Sequence, residues 1–469
     1  MTTLPPEWQG GEIAVLGLGK SGVGAAMLLA RAGAAVYASD AAASPATEKA
    51  AAGLRAAGVA ADVGGHDLAR IARARLVVAS PGIPPEAPPL AAARAAGVPI
   101  VSEVEIALRS LPRTRIIAIT GTNGKTTTTA LVGHLLRALG RRAVDAGNIG
   151  TAITEVAMGE APEWIALEMS SFQLHDTPGI APVVGVVTNL SPDHLDRYAD
   201  VNEYYADKAL LFRNARDGSR WVLNGDDREV LALPARLPDA GRHAGEPLPG
   251  EAHLFSLERR DVDAFYDRER DALVVLEGIL LPRRELALLG DHNVANALAA
   301  SLAVMVADEA HRTPEARQRI ASGLRSFRAL EHRLEPAGEF GGVLWINDSK
   351  ATNVSSTLVA LQGMTRPTVV LLGGRHKGEP YTALAEPLRR VARAVIAYGE
   401  AGPIVARDLD GVVPVVRLGA DFGEVMATAR SLAQPGDAVL LSPACSSYDM
   451  FANYVERGAT FRRLAAEGR

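Results

Sequence analysis

The sequence predicts an α/β protein built on parallel sheets, with enough chain for three domains. Three observations lead there. The chain has 469 residues, about three domains at roughly 150 residues each. Short apolar runs such as EIAVLGLG, RIIAIT and PTVVLLGG alternate with alanine-rich helical stretches, the pattern of strands covered on both faces. Polar, glycine-bearing motifs fall at the ends of those runs, where open α/β sheets bind ligands.

The elements follow in order. EIAVLGLG (12–19) is a strand entering a glycine turn, SGVGAAMLLARAG (21–33) a helix, AAVYASD (34–40) a second strand. RLVVAS (75–80) and VPIVSEVEIALRSL (98–111) continue the pattern. RIIAITGTNGKTTTTALVGHLLRALG is strand, tight loop, helix, and EWIALEMSSFQL and PVVGVVTNLSPDHLDRY each place a strand before a polar loop. Residues 220–289 carry short alternating runs, expected as small antiparallel strands. GDHNVANALAASLAVMVADEA (290–310) is a helix with a polar start. After residue 330, GGVLWINDSKATN, TRPTVVLLGGR, RAVIAYG and DAVLLSPACSSYDMF supply further strands.

Composition excludes several classes. Hydrophobic residues make up 48% and charged residues 22%, so large cores can form and disorder is excluded. A net charge of -5 gives no footing for nucleic-acid binding by bulk charge. The single cysteine, Cys445, excludes an intrachain disulfide and argues against a cysteine zinc cluster. No apolar run reaches the roughly 18 residues of a membrane helix, and MTTLPPEWQGG lacks the charged and apolar regions of a secretory signal. The expectation is a soluble cytoplasmic monomer without membrane or nucleic-acid partners.

The strongest motif is Gly121-Thr122-Asn123-Gly124-Lys125-Thr126, followed by Thr127. It sits between an apolar strand and a helix, the context of a phosphate-binding loop. Glycines turn N–H groups toward phosphate and the helix start adds partial positive charge. Lys125 can reach outer phosphates and the Thr126 hydroxyl can hold Mg²⁺. The loop is two residues shorter than the general GxxxxGK[ST] pattern; the plainer alternative is a glycine turn with a solvated lysine. Glu168, at the end of EWIALEM, and His194, in SPDHLD, are candidate metal ligands at strand ends. Lys208, in EYYADKALLF, reads from its spacing as a snorkelling surface lysine.

Gly17, Gly19 and Gly22 have GxGxxG spacing, with Asp40 ending the next strand. That is a dinucleotide or other pyrophosphate turn, with Asp40 placed for a ribose hydroxyl. Ser80-Pro81-Gly82 ends a neighbouring strand and is expected in the same crevice. A nicotinamide-dependent dehydrogenase would use this turn but leaves the second loop unexplained. A nucleotide-gated regulatory protein would use the second loop without an acyl acceptor.

Taken together, Gly121–Thr126, Gly147-Asn148-Ile149-Gly150, Leu167–Gln173, Asp193–Tyr198, His292-Asn293 with Asn296, His332-Arg333, Asp348–Asn353 and Ser442–Ser447 resemble the Mur ligases of peptidoglycan synthesis. The resemblance implies an N-terminal Rossmann-like UDP-binding domain (1–108), a central P-loop ATPase-like domain (109–329) and a C-terminal Rossmann-like domain that brings the amino acid (330–469). It implies ADP-forming ligation of D-glutamate to UDP-N-acetylmuramoyl-L-alanine through an acyl phosphate. The alternatives are a related enzyme adding L-glutamate and a folylpolyglutamate-synthase-like ligase. The implied cofactors are ATP and two Mg²⁺ ions, with Mn²⁺ able to substitute.

By resemblance, Gly19, Lys20, Ser21, Asp40, Ser80, Pro81, Gly82 and Asn148 meet the UDP substrate. Gly121 through Thr127, Asn293, Asn296, Arg333, Asp348 and Lys350 meet ATP, with Lys125, Asn148, His194, Lys208, Arg333 and Lys350 in the catalytic set. Thr126, Glu168, His194 and Lys208 hold metal, Lys208 as a carbamate. Thr352, Lys377, Ser447 and Tyr454 meet glutamate; Tyr454 stands where the family often has phenylalanine.

Overall fold

The computed structural model describes residues 4–148, 151–193, 197–237, 248–276 and 278–467. They form three sheets. The first holds β1 (Glu12–Leu16), β2 (Ala35–Asp40), β3 (Ala60–Val63), β4 (Leu76–Ala79) and β5 (Ile100–Ser102). The second holds β6 (Arg115–Thr120), β7 (Ala143–Gly147), β8 (Trp164–Glu168), β9 (Val184–Val187), β10 (Arg220–Asn224), β11 (Glu251–Ser256), β12 (Ala264–Asp267), β13 (Ala272–Val275) and β14 (Gly278–Pro282). The third holds β15 (Glu335–Phe340), β16 (Val343–Asn347), β17 (Thr368–Gly373), β18 (Ala392–Tyr398), β19 (Val415–Arg417) and β20 (Ala438–Leu441).

The chain packs as two compact units, Met1–Glu285 with Ala295–Arg325, and Leu286–Val294 with Ser326–Arg469. The first unit contains the first two sheets. Among the described residues no helix is long and apolar enough to cross a membrane.

The first sheet is parallel throughout, in the order β3-β2-β1-β4-β5. Successive side chains of a strand point to opposite faces, and here both faces are covered. Ile13, Val15, Val36 and Val78 pack with Ala25, Leu28 and Leu54 of one helical layer. Ala14, Leu16, Tyr37 and Val77 pack with Ile71, Leu90 and Ala93 of the other. This is why the strands read as continuous apolar runs. The order reverses between β1 and β4, so the turns after those two strands flank one crevice.

The second sheet runs β14-β13-β12-β11-β10-β9-β6-β8-β7. Part of the expectation for residues 220–289 fails here. β10 and β11 join the sheet in parallel, and only β12 to β14 pair antiparallel. The intervening stretch 225–250 is long enough for the crossover that parallel pairing needs, and alternating hydrophobicity does not reveal strand direction. The third sheet runs β15-β16-β20-β17-β18-β19, with only the β15–β16 pair antiparallel.

Candidate active site

The loop after β6 leaves an interior strand of the second sheet. β6 lies between β9 and β8, and its loop opens the helix Lys125–Ala138. Gly121 has φ 139° and Gly124 φ 80°, backbone that a side chain rarely adopts. A Cβ on Gly121 would lie 2.1 Å from Thr188 Oγ1, and one on Gly124 2.4 Å from Asn296 Oδ1. The loop is therefore packed from two sides.

Residues at the end of β9 pin it. Asn123 N–H donates to Asn189 Oδ1 at 2.9 Å, and Asn189 Nδ2 donates to the Asn123 carbonyl at 3.0 Å. Thr188 Oγ1 donates to the same carbonyl at 2.6 Å. Thr122 Oγ1 donates to the Ser191 carbonyl at 3.0 Å and contacts the Tyr204 hydroxyl at 3.3 Å. Thr188, Asn189 and Tyr204 were not singled out by sequence. The available signal was two polar residues ending an apolar strand, which many strands share.

Two lysines converge on one carbonyl. Lys125 Nζ donates to the Gly121 and Thr122 carbonyls at 2.9 and 2.7 Å. Lys208 Nζ donates to the Gly121 carbonyl at 2.8 Å and stands 4.7 Å from the centre of the Tyr204 ring. Lys208 is only 1% exposed. This overturns the reading of a snorkelling surface lysine: its helix, Val201–Ala209, turns Tyr204, Tyr205, Lys208 and Ala209 inward together. Burial, followed by the nearby charge of Lys125, pushes the Lys208 amine well below its ordinary pKa.

Glu168 ends β8 in register with Ile119 of β6 and Gly147 of β7. Asn148 Nδ2 donates to Glu168 Oε1 at 3.0 Å. Glu168 Oε2 is buried with no hydrogen-bond partner. A buried carboxyl oxygen without a partner is costly, and a cation is a partner that would complete it. Thr126, the second residue of the helix that the loop opens, supplies a hydroxyl of the kind Mg²⁺ takes. Asn296 Oδ1 accepts from Thr128 Oγ1 at 3.2 Å, so it borders the loop as well. Among the described residues no cluster of three or more His, Cys, Asp or Glu forms a metal site on its own. His194 lies outside the described residues.

The crevice of the first sheet holds the other predicted group. Gly17 has φ 89°, and a Cβ on Gly22 would meet the Gly17 carbonyl at 1.9 Å. Asp40 accepts from Leu18 N–H through Oδ2 and from Ala42 N–H through Oδ1, each at 2.8 Å. Both carboxylate oxygens thus hold the turn itself. A cleft of ≈ 420 Å³ is lined by Gly17, Asp40, His66, Gly82 and neighbouring prolines. The helix Lys20–Arg31 begins there at Gly19 with no side-chain cap, leaving N–H groups for an anion. Lys20 is exposed and Ser21, Ser80 and Pro81 are half-buried; the Ser80 hydroxyl is buried without a partner.

The first two sheets meet through Glu103. It opens the helix Glu103–Ser110 behind Ser102, whose hydroxyl caps that helix. Gln173 Nε2 donates to Glu103 Oε1 at 3.2 Å, while Oε2 is buried and unpartnered. Burial pushes this carboxyl up to about 7. A second cleft of ≈ 350 Å³ beside it is lined by Ser80, Pro81, Ser102, Phe172, Gln173 and Tyr198, among others.

In the second unit, three loops follow parallel strands. Asp348, after β16, accepts from Leu334 N–H at 3.2 Å and from Ser442 Oγ at 2.8 Å, and burial pushes it up to about 7. Arg333 stands between His332 (φ 63°) and Leu334 (φ 42°), both in the strained left-handed region. Lys350 Nζ lies 4.0 Å from the centre of the Tyr454 ring, a cation–π contact. Lys377 Nζ donates to Thr352 Oγ1 at 3.3 Å. Ser447 is buried beside Ser446, whose carbonyl accepts from Arg375 N–H at 2.8 Å. Asn293 Nδ2 donates to the Leu289 carbonyl at 2.8 Å.

Family models match most of this chain. The Mur ligase middle domain matches residues 119–304, the Mur ligase MurD-like N-terminal domain 11–102, and the Mur ligase glutamate ligase domain 332–445. The chain belongs to the Mur ligase family. This Mur ligase is 42% identical over 480 residues to the UDP-N-acetylmuramoylalanine–D-glutamate ligase of Anaeromyxobacter dehalogenans, covering 98% of this chain and 99% of that one. It is 40% identical to the enzyme of the same name from Salinibacter ruber, covering 98% of both. Among solved structures, a UDP-N-acetylmuramate-alanine ligase from Thermotoga maritima shares the fold, with a TM-score of 0.60 at 19% identity, covering 98% of this Mur ligase and 100% of that chain.

Proposed function

We infer that this Mur ligase joins D-glutamate to UDP-N-acetylmuramoyl-L-alanine, forming ADP and phosphate, in cytoplasmic peptidoglycan precursor synthesis. The observation that carries the reading is the full-length similarity to relatives bearing that name. It is supported by a phosphate loop whose neighbours are a buried carboxylate with an unpartnered oxygen and a buried, easily deprotonated lysine.

In this reading the substrate carboxylate attacks the γ-phosphorus of ATP, and glutamate's amine then displaces phosphate from the acyl phosphate. Two anions must approach in the first step. Lys125 and the loop N–H groups stabilise charge on the transferred phosphoryl group. Lys125 then exchanges its two carbonyl acceptors for phosphate oxygens. Two Mg²⁺ ions, one held by Thr126 and Glu168 and one by Glu168, His194 and a carbamate on Lys208, would neutralise charge on the reacting oxygens. Asn148 fixes one oxygen of Glu168 and leaves the other for the metal. The neutral amine that burial favours at Lys208 is the form that adds CO₂, releasing one proton to solvent as the carbamate forms, so the residue would become an anionic ligand.

Gly121 through Thr127, with Asn293, Asn296, Arg333, Asp348 and Lys350, are assigned to ATP. Gly19, Lys20, Ser21, Asp40, Ser80, Pro81, Gly82 and Asn148 are assigned to the UDP substrate. The N-terminal turn presents backbone N–H groups to the pyrophosphate, while Asp40 holds the turn and keeps a lone pair for a ribose hydroxyl. Thr352, Lys377, Ser447 and Tyr454 are assigned to glutamate. An ADP-release assay tests the reading: turnover is expected with the UDP substrate and D-glutamate together. Equal turnover with L-glutamate, or none with either, refutes it.

A further inference from the structure

Arg457 lies in the first turn of the helix Tyr454–Glu467 and is 0% exposed. Among the described residues no carboxylate forms an ion pair with it. Its partners are instead one hydroxyl and two backbone carbonyls. Nε donates to Ser349 Oγ at 3.0 Å and Nη2 to the Ser349 carbonyl at 2.8 Å. Nη1 and Nη2 donate to the Cys445 carbonyl at 3.2 and 3.1 Å. Burying a cation whose hydrogen bonds reach no carboxylate is expensive, the Asp348 carboxyl acting on it only through space, and apolar packing is commonly at least as stable. A planar fork that spends its donors on loop backbone is a device for fixing loops.

The loops it fixes carry the residues assigned to the amino acid. Ser349 lies between Asp348 and Lys350, three positions before Thr352, and its hydroxyl donates to the Tyr454 carbonyl at 2.8 Å. Cys445 precedes Ser446 and Ser447. The two loops also join directly, Ala444 N–H donating to the Ala351 carbonyl at 3.0 Å, with Ala444 held at φ 56°. The Gly374 loop packs on the same point: a Cβ there would lie 2.2 Å from the Ser446 carbonyl and 3.1 Å from Arg457 Nη1. That loop leads to Lys377.

We propose that Arg457 is a positioning residue for the amino-acid substrate, a buried fork that sets the spacing of the three loops bearing Thr352, Ser447 and Lys377. The proposal rests on the assignment of those loops to the amino acid. A lysine keeps the charge but cannot reach both Ser349 and Cys445, so Arg457→Lys should fail much as Arg457→Met does.

The test is steady-state kinetics on the full chain, each substrate varied in turn. Folded Arg457→Lys should raise the KM for D-glutamate at least tenfold and leave the KM for the UDP substrate within twofold. A KM for D-glutamate within twofold of wild type, or an equal rise for both substrates, overturns the proposal. Should neither Arg457 variant fold, Ser349→Ala removes the Nε acceptor without stranding a charge. It should raise the KM for D-glutamate at least threefold, and no change overturns the proposal. If wild type uses a different amino acid, the functional reading fails on that result alone. The same comparison, made with that amino acid, then decides the role of Arg457.

Discussion

Replacing Glu103 with glutamine should make the junction between the first two sheets less sensitive to pH. Two effects oppose each other at this carboxyl. Its place at a helix N-terminus favours the anion by roughly 0.3–1 kcal/mol, whereas burial disfavours it. Burial wins, raising the pKa from the ordinary 4.5 to about 7. At about 1.4 kcal/mol per pH unit, the native state carries a penalty of about 3 kcal/mol once both forms are ionised. The sign follows from proton counting. Between the two values the native state binds more protons than the unfolded chain, so stability is intact below about 4.5, falls as pH rises, and levels above about 7.

Glutamine has no proton to lose, and any fixed cost of its amide cancels when two pH values are compared. From pH 5 to pH 8 the wild type should therefore lose roughly 2 to 3 kcal/mol relative to Glu103→Gln. The chain is too large for one two-state transition, so the assay is hydrogen exchange of peptides spanning 100–112 and 170–180. The wild-type-to-variant protection ratio should fall by ~30- to 150-fold across that range. A ratio unchanged between the two pH values would refute the reasoning.

Two further outcomes concern the candidate site. Lys125→Ala should lower turnover at least roughly a hundredfold, a loss of about 2.7 kcal/mol or more, with an unchanged circular dichroism spectrum; near wild-type turnover excludes the assigned role. Lys208→Ala should lose most activity and regain part of it with acetate or a similar short carboxylate, while Lys208→Arg stays inactive because a guanidinium cannot become a carbamate. Substantial activity in Lys208→Arg removes the residue from the metal set.

Much of the fold was legible because both faces of each parallel sheet are buried, which writes a continuous apolar run for each strand. The glycine loops were legible for a related reason, since Gly22, Gly121 and Gly124 stand where a Cβ would collide. Strand direction in 220–289 was not legible, because alternation is the same for parallel and antiparallel neighbours. Lys208 and Arg457 are charged residues on helices, Lys208 with apolar neighbours, and a long charged side chain on such a face can either snorkel outward or lie buried, which linear spacing does not decide. Asp40 was found at the expected strand end, but sequence could not show that its oxygens turn first to Leu18 and Ala42. Asn189 went unnoticed because its value comes from facing Asn123 across a strand boundary.

The pairing of β7, β8 and β6 acts as a ruler. Glu168 stands beside Ile119 and Gly147 because each strand keeps count with its neighbour from the far end of the sheet. Deleting one residue within β8 would carry the carboxylate back by about 3.3 Å and turn it to the other face. Adding residues to the connections 111–114, 139–142 or 159–163, at the opposite edge, lengthens a loop at small entropic cost and leaves the count intact. Tolerance to insertion should therefore be lopsided, and tags, labels or a second protein module belong at that distal edge.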